Sequence, residues 1–195
     1  MTVDEFLRAL DAAKAAEDIE ALEKLGQHFV EGGAADLPFQ PDIRLQGMSL
    51  DAEDEALKAG MTVANAWARS YRDAQFGKRL REGYTGPIVV SEGDSWYQYP
   101  WFLNAVIDNL MQPYAVKSLG AAGDTLANMI AHGEYRQAIS DQGARFFLFS
   151  ASGNDVLGGG DLSKLLHRFQ TGMELDDVLR GDVVARVLQE IEQGY

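Results

Sequence analysis

Pro87-Ile88-Val89-Val90-Ser91-Glu92-Gly93-Asp94-Ser95 reads as a strand that stops in a glycine turn. Its apolar part is short and continuous rather than alternating, the pattern of a parallel strand covered on both faces. Toward the C-terminus, strand and helix patterns then take turns. A helix is expected over residues 101–111, a second strand over 114–119, a second helix over 126–139 and a third strand over 145–150. Two further helical stretches, 162–169 and 175–193, close the chain. Strands that alternate with helices predict a parallel sheet with helices on both faces. The third strand, Arg145-Phe-Phe-Leu-Phe-Ser150, sends apolar side chains to both faces as a central strand does. Further sheet is therefore expected beside it, yet residues 161–195 read as helix, so the fold is expected to be incomplete at its C-terminus with that edge open.

Toward the N-terminus the texture is helical. Thr2 followed by Glu5 is a capping-box pattern. Phe6, Leu7, Leu10, Ile19, Leu22, Leu25 and Phe29 recur mostly at spacings of three and four, predicting one helix that Gly32 and Gly33 end. Residues 34–47, with Pro38 and Pro41, read as a connector. A second helix is expected from about 50 to 81, with Leu57, Met61, Ala64, Trp67 and Tyr71 on its apolar side. The expected organisation is thus a helical N-terminal extension, 1–83, and an α/β domain, 84–195. The extension packs on the domain or serves as a dimerisation or docking hairpin.

Composition narrows the partners. Lys and Arg number 17 against 30 Asp and Glu, a formal net charge of −13, which repels phosphate backbones and anionic membranes. No basic block offsets that field, so no nucleic-acid partner is expected. The absence of cysteine rules out disulfides, thiolate metal sites and cysteine nucleophiles. Asp4 and Glu5 stand where a signal peptide would be basic, and no stretch nears the roughly 20 apolar residues of a membrane span. A cytoplasmic protein with no membrane span is the expectation.

Chemistry concentrates at the three strand ends, where parallel α/β sheets gather their functional groups. Glu92-Gly93-Asp94-Ser95-Trp96 follows the first strand, Gly120-Ala-Ala-Gly123-Asp124-Thr125 the second, and Ser152-Gly153-Asn154-Asp155 the third. A hydroxyl, a glycine backbone and a carboxamide are thereby placed on one sheet edge. Acyl transfer builds negative charge on a carbonyl oxygen, and each preorganised donor there contributes about 3 kcal/mol. The Ser95 N–H, the Gly123 N–H and the Asn154 amide are donors of the kind that make an oxyanion hole.

In these residues the chain resembles the SGNH, or GDSL, hydrolase family. Gly93-Asp94-Ser95, Ala122-Gly123-Asp124-Thr125 and Gly153-Asn154-Asp155 match its motifs in order and in element, over roughly residues 86–160. The resemblance implies Ser95 as nucleophile, Gly123 and Asn154 as oxyanion partners, and Asp94 and Asp155 as braces of their turns. It implies a small-molecule ester or acylated substrate and no metal or organic cofactor. Trp96 replaces the family's frequent leucine. The family takes its base from an Asp-x-x-His motif beyond two further strands. Here His28, His132 and His167 are preceded at three residues by Leu25, Met129 and Lys164, so none matches.

Other readings of the same residues stay open. Ser95 can be a helix N-cap. Asp94, Asp124 and Asp155 can form a Mg²⁺ cluster. Gly158-Gly159-Gly160 lacks the Gly-Lys-Ser/Thr ending of a phosphate loop and reads as a linker. Trp96, Tyr97, Tyr99, Trp101 and Phe102 are core packing or a wall of the substrate pocket. The fold expected is a flavodoxin-like three-layer α/β/α sandwich with a parallel sheet, incomplete at its C-terminus. The function expected is ester hydrolysis through a Ser95 acyl-enzyme, with a second polypeptide as a candidate source of the missing segment. The alternative is a non-catalytic or truncated SGNH-like protein acting as a binding module.

Overall fold

The computed structural model describes residues 1–31, 43–46, 53–99, 104–157 and 163–194. The capping box forms: Thr2 Oγ1 accepts from the Glu5 N–H, and the Glu5 carboxylate from the Thr2 N–H, starting α1 (Val3–Ala15). The single helix expected through Phe29 is two helices and a strand. Glu17 adopts φ 49°, and Asp18 accepts from the Ala21 N–H at 3.0 Å to cap α2 (Ile19–Gly26). A local side-chain cap competes successfully with continued helix at this point. Then β1 (Phe29–Glu31) pairs antiparallel with β2 (Ile43–Leu45). Gly32, Gly33, Pro38 and Pro41 lie outside the described residues.

The long helix α3 (Glu53–Arg81) has two faces in use. One carries Ala64, Trp67 and Ala68 into a core with Phe6, Leu22, Phe29 and Ile43. Here Trp67 lies tilted against Phe29, 5.5 Å between centroids, and donates its indole N–H to the Leu22 carbonyl at 2.7 Å. The other face meets the sheet. Lys117 pairs with Asp73 at 2.7 Å, and the buried Arg72 forks onto Asp108 at 3.0 and 3.1 Å.

That sheet has three parallel strands, β3 (Ile88–Gly93), β4 (Ala115–Ser118) and β5 (Phe146–Ser150), in the order β4-β3-β5. One face, with Val89 and Val116, packs on Ile107 of α4 (Val106–Leu110). The opposite face meets α3 and α6 (Glu134–Gln142), whose Tyr135 stacks on Phe147 at 5.1 Å. Helices on both faces of a parallel sheet are compatible with a three-layer α/β/α arrangement. No described helix is long and apolar enough to cross a membrane.

The central strand is β3, buried along nearly its whole length, whereas β5 is an edge. Its two-sided apolar pattern suggested a central strand, yet it pairs only with β3 among the described residues. Phe146 and Phe147 remain 52% and 39% exposed.

Helix boundaries also differ. Gly133, at φ 60°, divides the helix expected over 126–139 into α5 (Leu126–His132) and α6. The stretch 101–111 contributes only α4, with Trp101 and Phe102 outside the described residues. The short α7 (Gly153–Leu157) follows β5. Instead of a helix over 162–169 there is one turn at residues 163–165 and a lone antiparallel bridge, Leu166 to Leu179. The last helix is split into α8 (Leu175–Val178) and α9 (Gly181–Gly194), and α9 packs on α5 and α7.

Candidate active site

The three strand-end motifs touch one another. At the first, the chain turns after Gly93: Asp94 donates its N–H to the Ser150 carbonyl at 3.2 Å, tying this turn to the end of β5. The Asp94 carboxylate accepts from the Trp96 N–H at 3.0 Å and, at 3.5 Å, from the Ser150 hydroxyl. It is buried, its second oxygen lacks a partner, and burial raises its pKa above the ordinary carboxylate value. Ser95 is half-buried, and its hydroxyl makes no hydrogen bond among the described residues. No regular helix begins at Ser95; Tyr97 and Gln98 donate to the Asp94 carbonyl in a single turn. The helix-cap reading of Ser95 therefore has no helix to cap, and no helix dipole acts there.

The second motif is pressed against the first. Ala121 donates its N–H to the Gly93 carbonyl at 2.9 Å, and a Cβ on Gly120 would stand 2.6 Å from that oxygen. Gly123 has φ 85° with open space around it, so glycine serves the backbone conformation rather than a close approach. Thr125 caps α5 through the Asn128 N–H, and Asp124 accepts from the Thr125 N–H and from the Asn128 side chain.

The third motif reaches over the second. Ser152, at φ 85°, turns the chain into α7. Asn154 Nδ2 donates to the Asp124 carbonyl at 2.8 Å, and Asp155 accepts from the Leu126 N–H at 2.9 Å. One amide hydrogen of Asn154 thus fixes the side chain beside Gly123, and the other is left to donate elsewhere. Asp155 braces backbone across a motif boundary, whereas the Asp94 carboxylate holds the backbone of its own turn. The carboxylates of Asp94, Asp124 and Asp155 are each engaged by backbone N–H groups, and no three-ligand metal cluster exists among the described residues. Residues 158–160 lie outside the described residues.

No histidine bonds Ser95. Exposed His132 on α5 instead donates from Nδ1 to the Asn128 carbonyl at 2.9 Å, and His28 and His167 make no hydrogen bond to the serine. Trp96 is 72% exposed beside Gly153, whereas Tyr97 packs on the Val89–Ile107 cluster.

Three participants escaped the sequence reading. Asn65 of α3 forms a two-way amide pair with Ala122, Nδ2 to its carbonyl and its N–H to Oδ1, both 2.9 Å. This clamps the loop that carries Gly123. Gln98 is buried, donates to the Gly120 carbonyl at 2.6 Å and accepts from the Ser118 hydroxyl, which in turn receives the Ser91 hydroxyl. Neither residue stands in a pattern that flags it. Glu92 did carry a signal, a charged residue prolonging an apolar strand. It is 4% exposed.

Burial pushes the Glu92 carboxyl up to about 7, while the Gly93 N–H and the Arg69 guanidinium pull it down. The folded state therefore holds this proton more tightly than the unfolded chain. Its contribution to stability is complete below the ordinary carboxylate pKa of about 4.3 and is lost as pH rises through about 7. At about 1.4 kcal/mol per pH unit, discounted for water in the adjoining cleft, roughly 2 kcal/mol is at stake. Glu92→Gln should melt above the wild type at pH 8, by on the order of 5 °C, with the gap shrinking toward pH 5. Thermal melts at both pH values check this, and a gap independent of pH would contradict it.

Comparison with known proteins gave no match: no family model, no curated protein and no solved structure is detectably similar to this chain.

Proposed function

We propose that this protein is a serine ester or acyl-ester hydrolase of SGNH/GDSL type on a flavodoxin-like scaffold, with Ser95 as nucleophile. Its substrate is a small ester or acylated molecule met in the cytoplasm, and no cofactor is needed. The observation that carries the reading is the Asn154 Nδ2 bond to the Asp124 carbonyl, which seats the third motif on the second. In the mechanism, Ser95 Oγ attacks the acyl carbonyl, and the resulting oxyanion is met by the Ser95 and Gly123 N–H groups and the remaining Asn154 amide hydrogen. Collapse expels the alcohol, and water then releases the acid from the acyl-serine. The proton of Ser95 goes to a histidine base on an Asp-x-x-His segment, in cis or on a second polypeptide, and returns from it to the departing alcohol; no described histidine is bonded to the serine. Exposed Trp96 walls the substrate beside Gly153.

The test is an activated ester. p-Nitrophenyl acetate should leave an acetyl group on Ser95, detectable by peptide mass. Asn154→Ala should slow that acylation by about 10²–10³, because one donor of several is lost. Acylation elsewhere, or an unchanged rate in Asn154→Ala, would count against the site. The unbonded Ser95 hydroxyl favours a second reading, a non-catalytic SGNH-like binding module. Under it, ester ligands bind at Ser95 with no acetyl transfer.

A further inference from the structure

A cleft of about 350 Å³ lies between α3, α5, the start of α6 and the loop of residues 120–125, and Ser95 is not part of its lining. Glu92 lines it from the end of β3 while remaining 96% buried as a residue, the complement of its 4% exposure. Oε1 of Glu92 accepts from the Gly93 N–H at 3.1 Å, and Oε2 has no hydrogen-bond partner among the described residues. A carboxylate oxygen largely withdrawn from water and without a donor is costly, and a ligand that brings one relieves that cost.

The surroundings decide which ligand. Facing Glu92 are Arg69 from α3, Asp124 from the loop, and His132 and Glu134 from α5 and α6. Arg69 is already paired with Glu134 at 2.6 Å. His132 spends its Nδ1 hydrogen on the Asn128 carbonyl, so the neutral ring offers Nε2 as an acceptor. Three carboxylates thus face one guanidinium, and the unspent groups are mostly acceptors. Complementarity calls for a donor-rich cation. Ala121, Ala122 and Met129 offer apolar wall for a short aliphatic stem.

We infer that this cleft binds a compact primary ammonium ligand, with the –NH₃⁺ group seated on Glu92. The three ammonium hydrogens suit Oε2 and its acceptor neighbours, and Arg69 repels a ligand long enough to carry its charge toward α3. Only ionised Glu92 attracts the cation, and burial holds that ionisation near pH 7. The site stands whether or not Ser95 is a nucleophile, because no acyl chemistry enters the argument.

The experiment titrates n-butylammonium chloride into ¹⁵N-labelled protein, with 1-butanol as the neutral isostere, and follows the amides of Gly93, Gly123 and Asn128. Saturable shifts with a dissociation constant on the order of millimolar are expected, at least about tenfold tighter than for 1-butanol. In the wild type the affinity should fall about tenfold from pH 8 to pH 6 as Glu92 takes up its proton. Glu92→Gln should lose at least about tenfold in affinity at pH 8, its melt verifying that it folds. Equal binding of 1-butanol, shifts that do not saturate, or affinity flat between pH 6 and 8 would overturn the site. So would Glu92→Gln that keeps wild-type affinity. If that variant fails to fold, the comparison of the ammonium with 1-butanol on unaltered protein still decides the matter.

Discussion

This chain by itself should hydrolyse p-nitrophenyl acetate slowly, about 10⁴- to 10⁶-fold below the rate with a histidine base supplied, and Ser95→Ala should remove what remains. The magnitude follows from how serine triads lose rate when the base is missing while the oxyanion donors persist. Under the proposed reading those donors are Gly123 and Asn154 in the neighbouring loops, and the Ser95 hydroxyl is bonded to no histidine among the described residues. A hydroxyl without a base is a poor nucleophile near neutral pH. Adding an Asp-x-x-His segment, in cis or as a separate polypeptide, should raise the rate, and Ser95→Ala should cancel the gain. Steady-state kinetics on the two proteins, with and without that segment, decide the matter. Full activity from residues 1–195 that survives Ser95→Ala but disappears with His132→Ala or His167→Ala would move the chemistry elsewhere.

Arg72→Met should destabilise the protein by about 3–5 kcal/mol. The guanidinium is 4% exposed, forks onto both oxygens of Asp108 and donates to the Tyr99 carbonyl at 3.2 Å. Asp108 also accepts from the Ala105 N–H at the start of α4. Removing the cation leaves a partly buried carboxylate and a carbonyl without their donor, which costs more than the pair itself contributes. At roughly 2–4 °C per kcal/mol for a chain of this size, the melting temperature should drop by about 6–20 °C. Pairing Arg72→Met with Asp108→Leu should recover a large part of the loss, since no charge is then stranded. A drop below 1 kcal/mol in chemical denaturation would show that α3 and α4 hold without this bridge.

Both predictions rest on long-range contacts, and those were the least legible part of the sequence. The strand that ends in Gly93, the two strands after it and their glycine-bearing turns could be read because apolar runs and turn residues act over a few positions. So could the cap at Thr2 and Glu5. The helix breaks at Glu17 and Gly133 were local too, but Asp18 and Gly133 are also tolerated inside helices, and only the competing caps decide. Asp94 and Asp155 were expected as braces by resemblance; Asp94 accepts from the nearby Trp96 N–H, whereas the Leu126 N–H that Asp155 accepts depended on how the loops meet.

From the sequence alone came three strands in alternation with helices, and Ser95, Gly123 and Asn154 at their ends, because period and turn chemistry are properties of neighbours along the chain. Strand order was not among them. The four apolar residues of β5 look more central than Val89 and Val90, yet β3 lies between β4 and β5, since order depends on which faces the helices cover rather than on a strand's own composition. The same holds for the clamp on Gly123. Asn65 and Ala122 stand 57 residues apart, and a single polar pair at that distance leaves no periodic trace. It exists because α3 lies against the sheet, and the loss of two backbone hydrogen bonds to water makes that one amide the necessary partner.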